Sequence, residues 1–260
     1  MLSKLEAFIL GIIQGLTEFL PISSTGHLYL GRKLFGLQEA GLLLDTMLHV
    51  GTLLAVLFFY KEELMKIIKN PFGKMTFLLI VGTLPAVAAG LLLKDYIEDI
   101  SKTGVTIGWE FLMTGAFLWI ADSVKNGHKK LNDIGYRDAF IIGVFQAAAI
   151  MPALSRSGLT IVAALMRNLD RGTAAYFSFL LSTPAIAGAI LLQSIDLVSE
   201  GGEKISLTAL SIGILSSAIF GYIAVKWMIN FLKKHSLKPF AFYVWALGIA
   251  ILALQYADKF

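Results

Sequence analysis

The chain has 260 residues, 57% of them hydrophobic and only 15% charged, with a formal net charge of +4. A soluble fold this apolar could not cover its surface, so the one or two water-soluble domains that the length allows are excluded. No cysteine is present, which excludes a disulfide framework and thiolate metal ligation. The excess of Lys and Arg sits in loops between apolar stretches and requires no nucleic-acid partner.

In chain order, the first apolar stretch, about 5–37, is interrupted by Pro21-Ile22-Ser23-Ser24-Thr25-Gly26-His27, with Gln14 and Glu18 before it. Its N-terminus lacks a basic segment followed by a small-residue cleavage site, so no cleaved signal peptide is expected. Backbone broken at membrane depth survives only when buried in protein or lining a wet cavity, which predicts a re-entrant helix–loop–helix hairpin. Spans follow over 41–60, 76–93 and 105–121. The stretch 138–166 is interrupted in turn by Pro152-Ala153-Leu154-Ser155-Arg156-Ser157-Gly158-Leu159-Thr160, preceded by Gln146, and predicts a second hairpin. Spans over 173–193, 207–228 and 239–257 complete a set of six, each near the rough requirement of about 20 apolar residues.

Loop charges orient the set. Lys61, Lys66, Lys69 and Lys74 lie in 61–75; Lys125, Lys129, Lys130 and Arg137 in 122–137; Lys226, Lys233, Lys234 and Lys238 in 226–238. By contrast, 94–104 sets Asp95, Glu98 and Asp99 against Lys94 and Lys102, and 194–206 sets Asp196, Glu200 and Glu203 against Lys204. The excess of positive charge assigns the first three loops to the cytoplasm and the last two to the outside. The stretch 138–166 must then leave and return on the cytoplasmic side, in agreement with Arg167 and Arg171 just beyond it, and 5–37 must end outside. The likeness of the two clusters implies that 5–37 also begins there. The reading is an all-α, polytopic integral membrane protein of one domain, 1–260, with six transmembrane helices and two re-entrant hairpins. Its hairpins enter from opposite faces as an inverted-topology repeat, with pseudo-repeats about 1–93 and 105–228 and a last span at 239–257. Thr83-Leu84-Pro85-Ala86-Val87-Ala88 and Thr183-Pro184-Ala185-Ile186-Ala187 form a second echo; their prolines are read as packing kinks.

Ionisable groups at membrane depth are costly and mark function. Gln14 and Glu18, four apart, share a helix face. Ser23, Ser24 and Thr25 crowd hydroxyls on a turn, and His27 begins the returning helix. A serine here suits a nucleophile or water-positioner, His27 a base or acid, and Glu18 a group that orients the imidazole or binds a cation. In the second cluster Ser155 and Ser157 flank Arg156, whose planar fork fits phosphate oxygens, and Gly158 opens a helix whose free N–H groups favour an anion. Any single hydroxyl here is more simply a helix tie, and Arg156 alone could snorkel. Asp45 and His49 share a face near the outer end of the first span; second-shell groups, metal ligands and a water-exposed entrance all fit them.

At these residues the chain resembles the undecaprenyl-diphosphatase family, integral-membrane enzymes named for conferring bacitracin resistance. Gln14 and Glu18 match the family's first motif, and Pro21 to His27 match its continuation throughout. Pro152, Ser155, Arg156, Ser157 and Thr160 match the second motif, with Ala153 where glycine is usual. Because alanine disfavours positive φ, that departure predicts an altered turn. The resemblance covers essentially the whole chain and implies hydrolysis of undecaprenyl diphosphate to the monophosphate and inorganic phosphate. It also implies a cell-membrane location, a site open to the extracytoplasmic face, and a divalent cation, magnesium or calcium. The core chemistry would fall to Glu18, Ser24, His27 and Arg156, with His27 activating Ser24. Gln14, Ser23, Thr25, Ser155, Ser157 and Thr160 would support substrate binding, and Glu18 and Asp45 would lie at the cation. The partners expected are the polyprenyl diphosphate substrate and membrane lipids, with a homodimer left open. A transporter or flippase of an anionic polyprenyl lipid is the rival reading, since broken helices at the midplane also serve transport.

Overall fold

A computed structural model describes residues 2–37, 41–124, 127–200 and 205–257. Lys125, Glu203 and Lys204, counted above among the loop charges, lie outside the described residues. The fold is all-helical: α1 (Lys4–Phe19), α2 (Ser24–Leu34), α3 (Leu42–Phe59), α4 (Lys61–Lys69), α5 (Lys74–Leu92), α6 (Lys94–Thr103), α7 (Ile107–Asp122), α8 (Tyr136–Ala148), α9 (Arg156–Met166), α10 (Arg171–Glu200), α11 (Leu207–Leu232) and α12 (Lys238–Tyr256). Among the described residues there is no strand, only one backbone bridge between Lys129 and Leu169.

Both interrupted stretches fold as helix–turn–helix hairpins, α1–α2 and α8–α9, broken at the predicted clusters. Ser3 starts α1 with a reciprocal cap: its backbone N–H donates to Glu6 Oε2 at 2.7 Å and its hydroxyl accepts from Glu6 N at 3.2 Å. Such a pair satisfies two donors that a helix start otherwise leaves unpaired. Pro21 then stops the run, since it can donate no hydrogen bond to a continuing helix.

Among the described residues, five helices are long and apolar enough to cross a membrane, namely α3, α5, α10, α11 and α12. The expected span at 105–121 is α7, only 16 residues long, or about 24 Å at 1.5 Å per residue. Its end is set by Asp122, which accepts from Arg171 Nη2 at 2.8 Å, Ser236 Oγ at 2.7 Å and the Leu237 N–H at 2.9 Å. Two charged segments expected as loops are the short helices α4 and α6. In α4, Lys66 donates to Glu63 at 3.1 Å on the outer face, while Leu64 and Ile67 pack on the core. Pro85 and Pro184 both lie inside helices.

The packing crosses between halves. The first arm of each hairpin lies along a helix from the other half, α1 on α11 and α8 on α5; α3 also packs on α11 and α10 on α5. Further contacts pair α3 with α10 and α7 with α12. Small residues permit the approach: a Cβ on Gly15 would lie 2.6 Å from the Ser217 carbonyl, and one on Gly143 would collide with the Gly82 carbonyl. Between these layers the tips of the two hairpins meet over a core that includes Phe19, Phe111, Phe177 and Phe179.

Candidate active site

Glu18 is the hub. It lies one turn before the end of α1, only 7% exposed, and four side-chain groups from four helices converge on it. Ser24 Oγ donates to Oε2 at 2.5 Å and Gln14 Nε2 donates to the same oxygen at 3.0 Å. Arg156, the first residue of α9, reaches across to pair with Oε1. His49 Nε2, from α3, stands 3.8 Å from Oε2. The two polar clusters, 138 positions apart in sequence, thus share one carboxylate. A buried charge pair is tolerable when further hydrogen bonds complete it, and Ser24 and Gln14 supply them.

The turns also touch directly. Ser157 Oγ donates to the Leu20 carbonyl at 2.9 Å. A Cβ on Gly26 would lie 3.2 Å from that of Ala153 and 2.6 Å from the Phe111 ring, so only glycine permits this approach. Ala153 itself does not have positive φ, a conformation that Ser23 (φ 71°) and Asn168 (φ 69°) adopt among the described non-glycine residues. The turn therefore accepts alanine without backbone strain. Strain sits instead at Ser23, the N-cap of α2, whose hydroxyl accepts from the Gly26 N–H at 3.3 Å.

His27 is held differently from expectation. Nδ1 lies 2.6 Å from the Ser23 carbonyl, which can only accept, so Nδ1 carries the proton and a neutral ring leaves Nε2 as the acceptor. Nε2 is 2.8 Å from the Tyr243 hydroxyl. Phe111 meets the imidazole edge-on at 5.5 Å and 87°. The expected Ser24–His27 hydrogen bond is therefore not formed: Ser24 gives its proton to Glu18, and His27 faces Tyr243.

In the second turn, α7 holds the backbone: the Ala153 N–H donates to Glu110 Oε2 and the Ser155 N–H to Thr114 Oγ1 at 3.3 Å. Ser155 caps α9 by accepting from the Gly158 N–H at 3.1 Å, and its hydroxyl lies 3.3 Å from that of Ser157. Thr160, expected to support substrate, is fully buried; its hydroxyl donates to the Arg156 carbonyl at 2.9 Å and lies 2.5 Å from that of Ser178 in α10. Thr25 is exposed. Three buried atoms in and near this centre lack hydrogen-bond partners: Arg156 Nη1, Gln14 Oε1 and Glu110 Oε1. A buried guanidinium N–H without an acceptor is costly, and an anionic oxygen would satisfy it.

Asp45 pairs with Arg32 of α2 rather than turning to Glu18. Among the described residues no three His, Asp or Glu side chains come together as a metal cage. The donor set does not fit an all-protein cation site with Asp45. It does fit a magnesium-type ion carried by phosphates and needing one carboxylate, for which Glu18 is placed.

Sequence reading passed over Glu110, Thr114 and Tyr243. Glu110 had a usable signal as the lone charged residue of an otherwise apolar span. Tyr243, an aromatic in an apolar helix 216 positions from His27, had none.

Helices that are mostly apolar, enclosing a buried Glu–Arg–Ser centre, define a multi-pass membrane protein. The family described as Bacitracin resistance protein BacA matches residues 7–250, and the chain belongs to that family. Undecaprenyl-diphosphatase 4 of Bacillus cereus is 72% identical over 256 residues, covering 98% of this chain and 99% of that protein. The undecaprenyl-diphosphatase of Carboxydothermus hydrogenoformans is 46% identical over 261 residues, with both chains fully covered. That of Halothermothrix orenii is 41% identical over 251 residues, covering 96% of this chain and 97% of that protein.

Proposed function

We propose that this chain hydrolyses undecaprenyl diphosphate to undecaprenyl phosphate and inorganic phosphate, recycling the lipid carrier of cell-wall synthesis and so opposing bacitracin. The observation that carries the reading is the Glu18 centre, where a serine hydroxyl points at a carboxylate beside an arginine with a free buried N–H. A transport site would need the cation but not the Ser24–Glu18 pair.

Phosphoryl transfer leaves a protein mainly positioning and charge neutralisation to perform. The free Nη1 of Arg156 takes a non-bridging oxygen of the terminal phosphate. Glu18 receives the proton of Ser24 as Oγ bonds to the terminal phosphorus, and the bond from that phosphorus to the bridging oxygen breaks. The lipid monophosphate leaves as an anion, and water then releases inorganic phosphate from the serine. In the alternative sequence Ser24 aligns the attacking water and Glu18 takes its proton directly; trapping a phosphoserine at Ser24 separates the two. A divalent cation held by Glu18 and the diphosphate would supply further neutralisation of the leaving group. Asp45 is not assigned to it.

The wider reading is a cell-membrane enzyme with six spans, two re-entrant hairpins and a site open to the extracytoplasmic face. Its support is the distribution of loop charge and the crossed packing of α1 on α11 and of α8 on α5. The same packing favours redrawing the inverted repeat as 4–122 and 136–256, because α7 and α12 pair as equivalents. The deciding experiment is phosphate release from undecaprenyl diphosphate by detergent-solubilised protein, with and without chelator, on wild type and on Glu18, Ser24, His27 and Arg156 variants. Release without any membrane gradient supports hydrolysis; its absence with undiminished lipid binding would favour transport.

A further inference from the structure

Among the polar residues of the first turn, His27 is partly buried, and the group bonded to its Nε2 is Tyr243. Tyr243 belongs to α12, is 46% exposed, and shares no sequence neighbourhood with either polar cluster. Its hydroxyl is 2.8 Å from His27 Nε2, and its ring lies nearly parallel to the imidazole, with 5.7 Å between centroids and 14° between planes. The opposite ring nitrogen is fixed by the Ser23 carbonyl, so the neutral imidazole can only accept at Nε2 and the tyrosine hydroxyl must be the donor. Phe111 supports the same ring edge-on. Together these contacts determine the plane, the tautomer and the direction of the Nε2 lone pair of His27, and Tyr243 supplies two of them, a stack and a hydrogen bond.

We propose that Tyr243 is a positioning residue for this reaction: by donating to Nε2 it locks the His27 imidazole, whose Nδ1 in turn holds the Ser23 carbonyl at the turn from which Ser24 reaches Glu18. The inference rests on the hydrolase reading above. A ring that cannot turn keeps Nδ1 on the Ser23 carbonyl, and so steadies the positive-φ cap that aims the Ser24 hydroxyl at Glu18. Tyr243 does this without occupying Ser24, Glu18 or Arg156, none of which it bonds.

Three variants test it: Tyr243→Phe, which keeps the ring and deletes the hydroxyl, His27→Ala, and the two combined, assayed by phosphate release from undecaprenyl diphosphate in detergent. Tyr243→Phe is expected to lower kcat about 10-fold, the size of one net hydrogen bond, with KM changed less than about twofold. The double variant should be no slower than His27→Ala alone, because Tyr243 acts through the imidazole. Tyr243→Leu, which loses the stack as well, should fall further than Tyr243→Phe, so a poorly folding Phe variant does not end the test. A Tyr243→Phe enzyme with wild-type kcat, or an equal fractional loss in the His27→Ala background, overturns the inference and leaves hydrolysis intact. A wild-type protein that releases no phosphate overturns the hydrolase reading instead, so the two failures are distinguishable.

Discussion

The two hairpins have the same plan but are held differently. The tip of α1–α2 turns through Ser23 at φ 71°, with its serine and histidine groups bonded mainly to one another, to Glu18 and to a half-exposed tyrosine. The tip of α8–α9 has ordinary backbone at Ala153 and is tied on one side by Glu110 and Thr114 and on another by Ser178. At its base, Lys129 Nζ and Arg167 Nε both donate to Asp138, at 2.9 and 2.8 Å. Strain collects where bonds are made and broken, and rigidity where a fixed positive charge must wait for an anion. In the proposed reaction, proton transfer falls to the first hairpin and charge placement to the second.

Removing the hub should do the greatest damage. Glu18→Gln loses both the acceptor for Ser24 and the counter-charge of Arg156, and kcat for phosphate release should fall about 10³-fold or more, within the range of a lost acid–base group. Arg156→Ala should cost about 10²- to 10³-fold, as for a lost oxyanion donor. Arg156→Lys should recover only part, because an ammonium cannot hold Glu18 and a phosphoryl oxygen as one fork. Equal turnover for Arg156→Ala and wild type would remove the second hairpin from the chemistry.

Smaller effects probe the scaffolds. Gly143→Val drives a side chain into the Gly82 carbonyl and should destabilise the second hairpin by about 1–3 kcal/mol, seen as a lower melting temperature in detergent. Gly15→Val should do the same to the first, against Ser217. The mildest effect concerns Asp170, in the link between α9 and α10. Partial burial pushes its carboxyl up, but the hydroxyl and N–H of Thr173, with Lys130 beyond, outweigh that and hold it below the ordinary carboxylate value. A depressed carboxyl contributes stability above its unfolded value and loses it as pH falls through the folded one. Wild type should thus melt slightly above Asp170→Asn at neutral pH, and the gap should close in acid.

Most of the helices and both breaks were legible because apolar length and proline act locally. The helices α4 and α6 were not: their charges read as loop, while the few apolar residues that pack them gain meaning only from neighbours. The site residues were legible as a set, since buried ionisable groups stand out in apolar sequence. Their pairing was not. Ser24 is nearer in sequence to His27 than to Glu18, yet the turn at Ser23 aims its hydroxyl back at α1. The partner of Asp45 was hidden for the same reason, since Arg32 lies on a helix whose direction only the folded turn fixes.

The brevity of α7 has a mechanical consequence. Beside it stands α12, of 19 residues, whereas its own 16 residues fall about 6 Å short of a typical hydrocarbon slab. Were α7 to cross the bilayer, as the apolar stretch 105–121 predicts, lipid meeting that flank would dimple inward or shed order, each at a modest cost per ångström. Because Glu110, Phe111 and Thr114 all reach from this helix to the two polar turns, a membrane that thinned against it would do so where a headgroup has least distance left to travel.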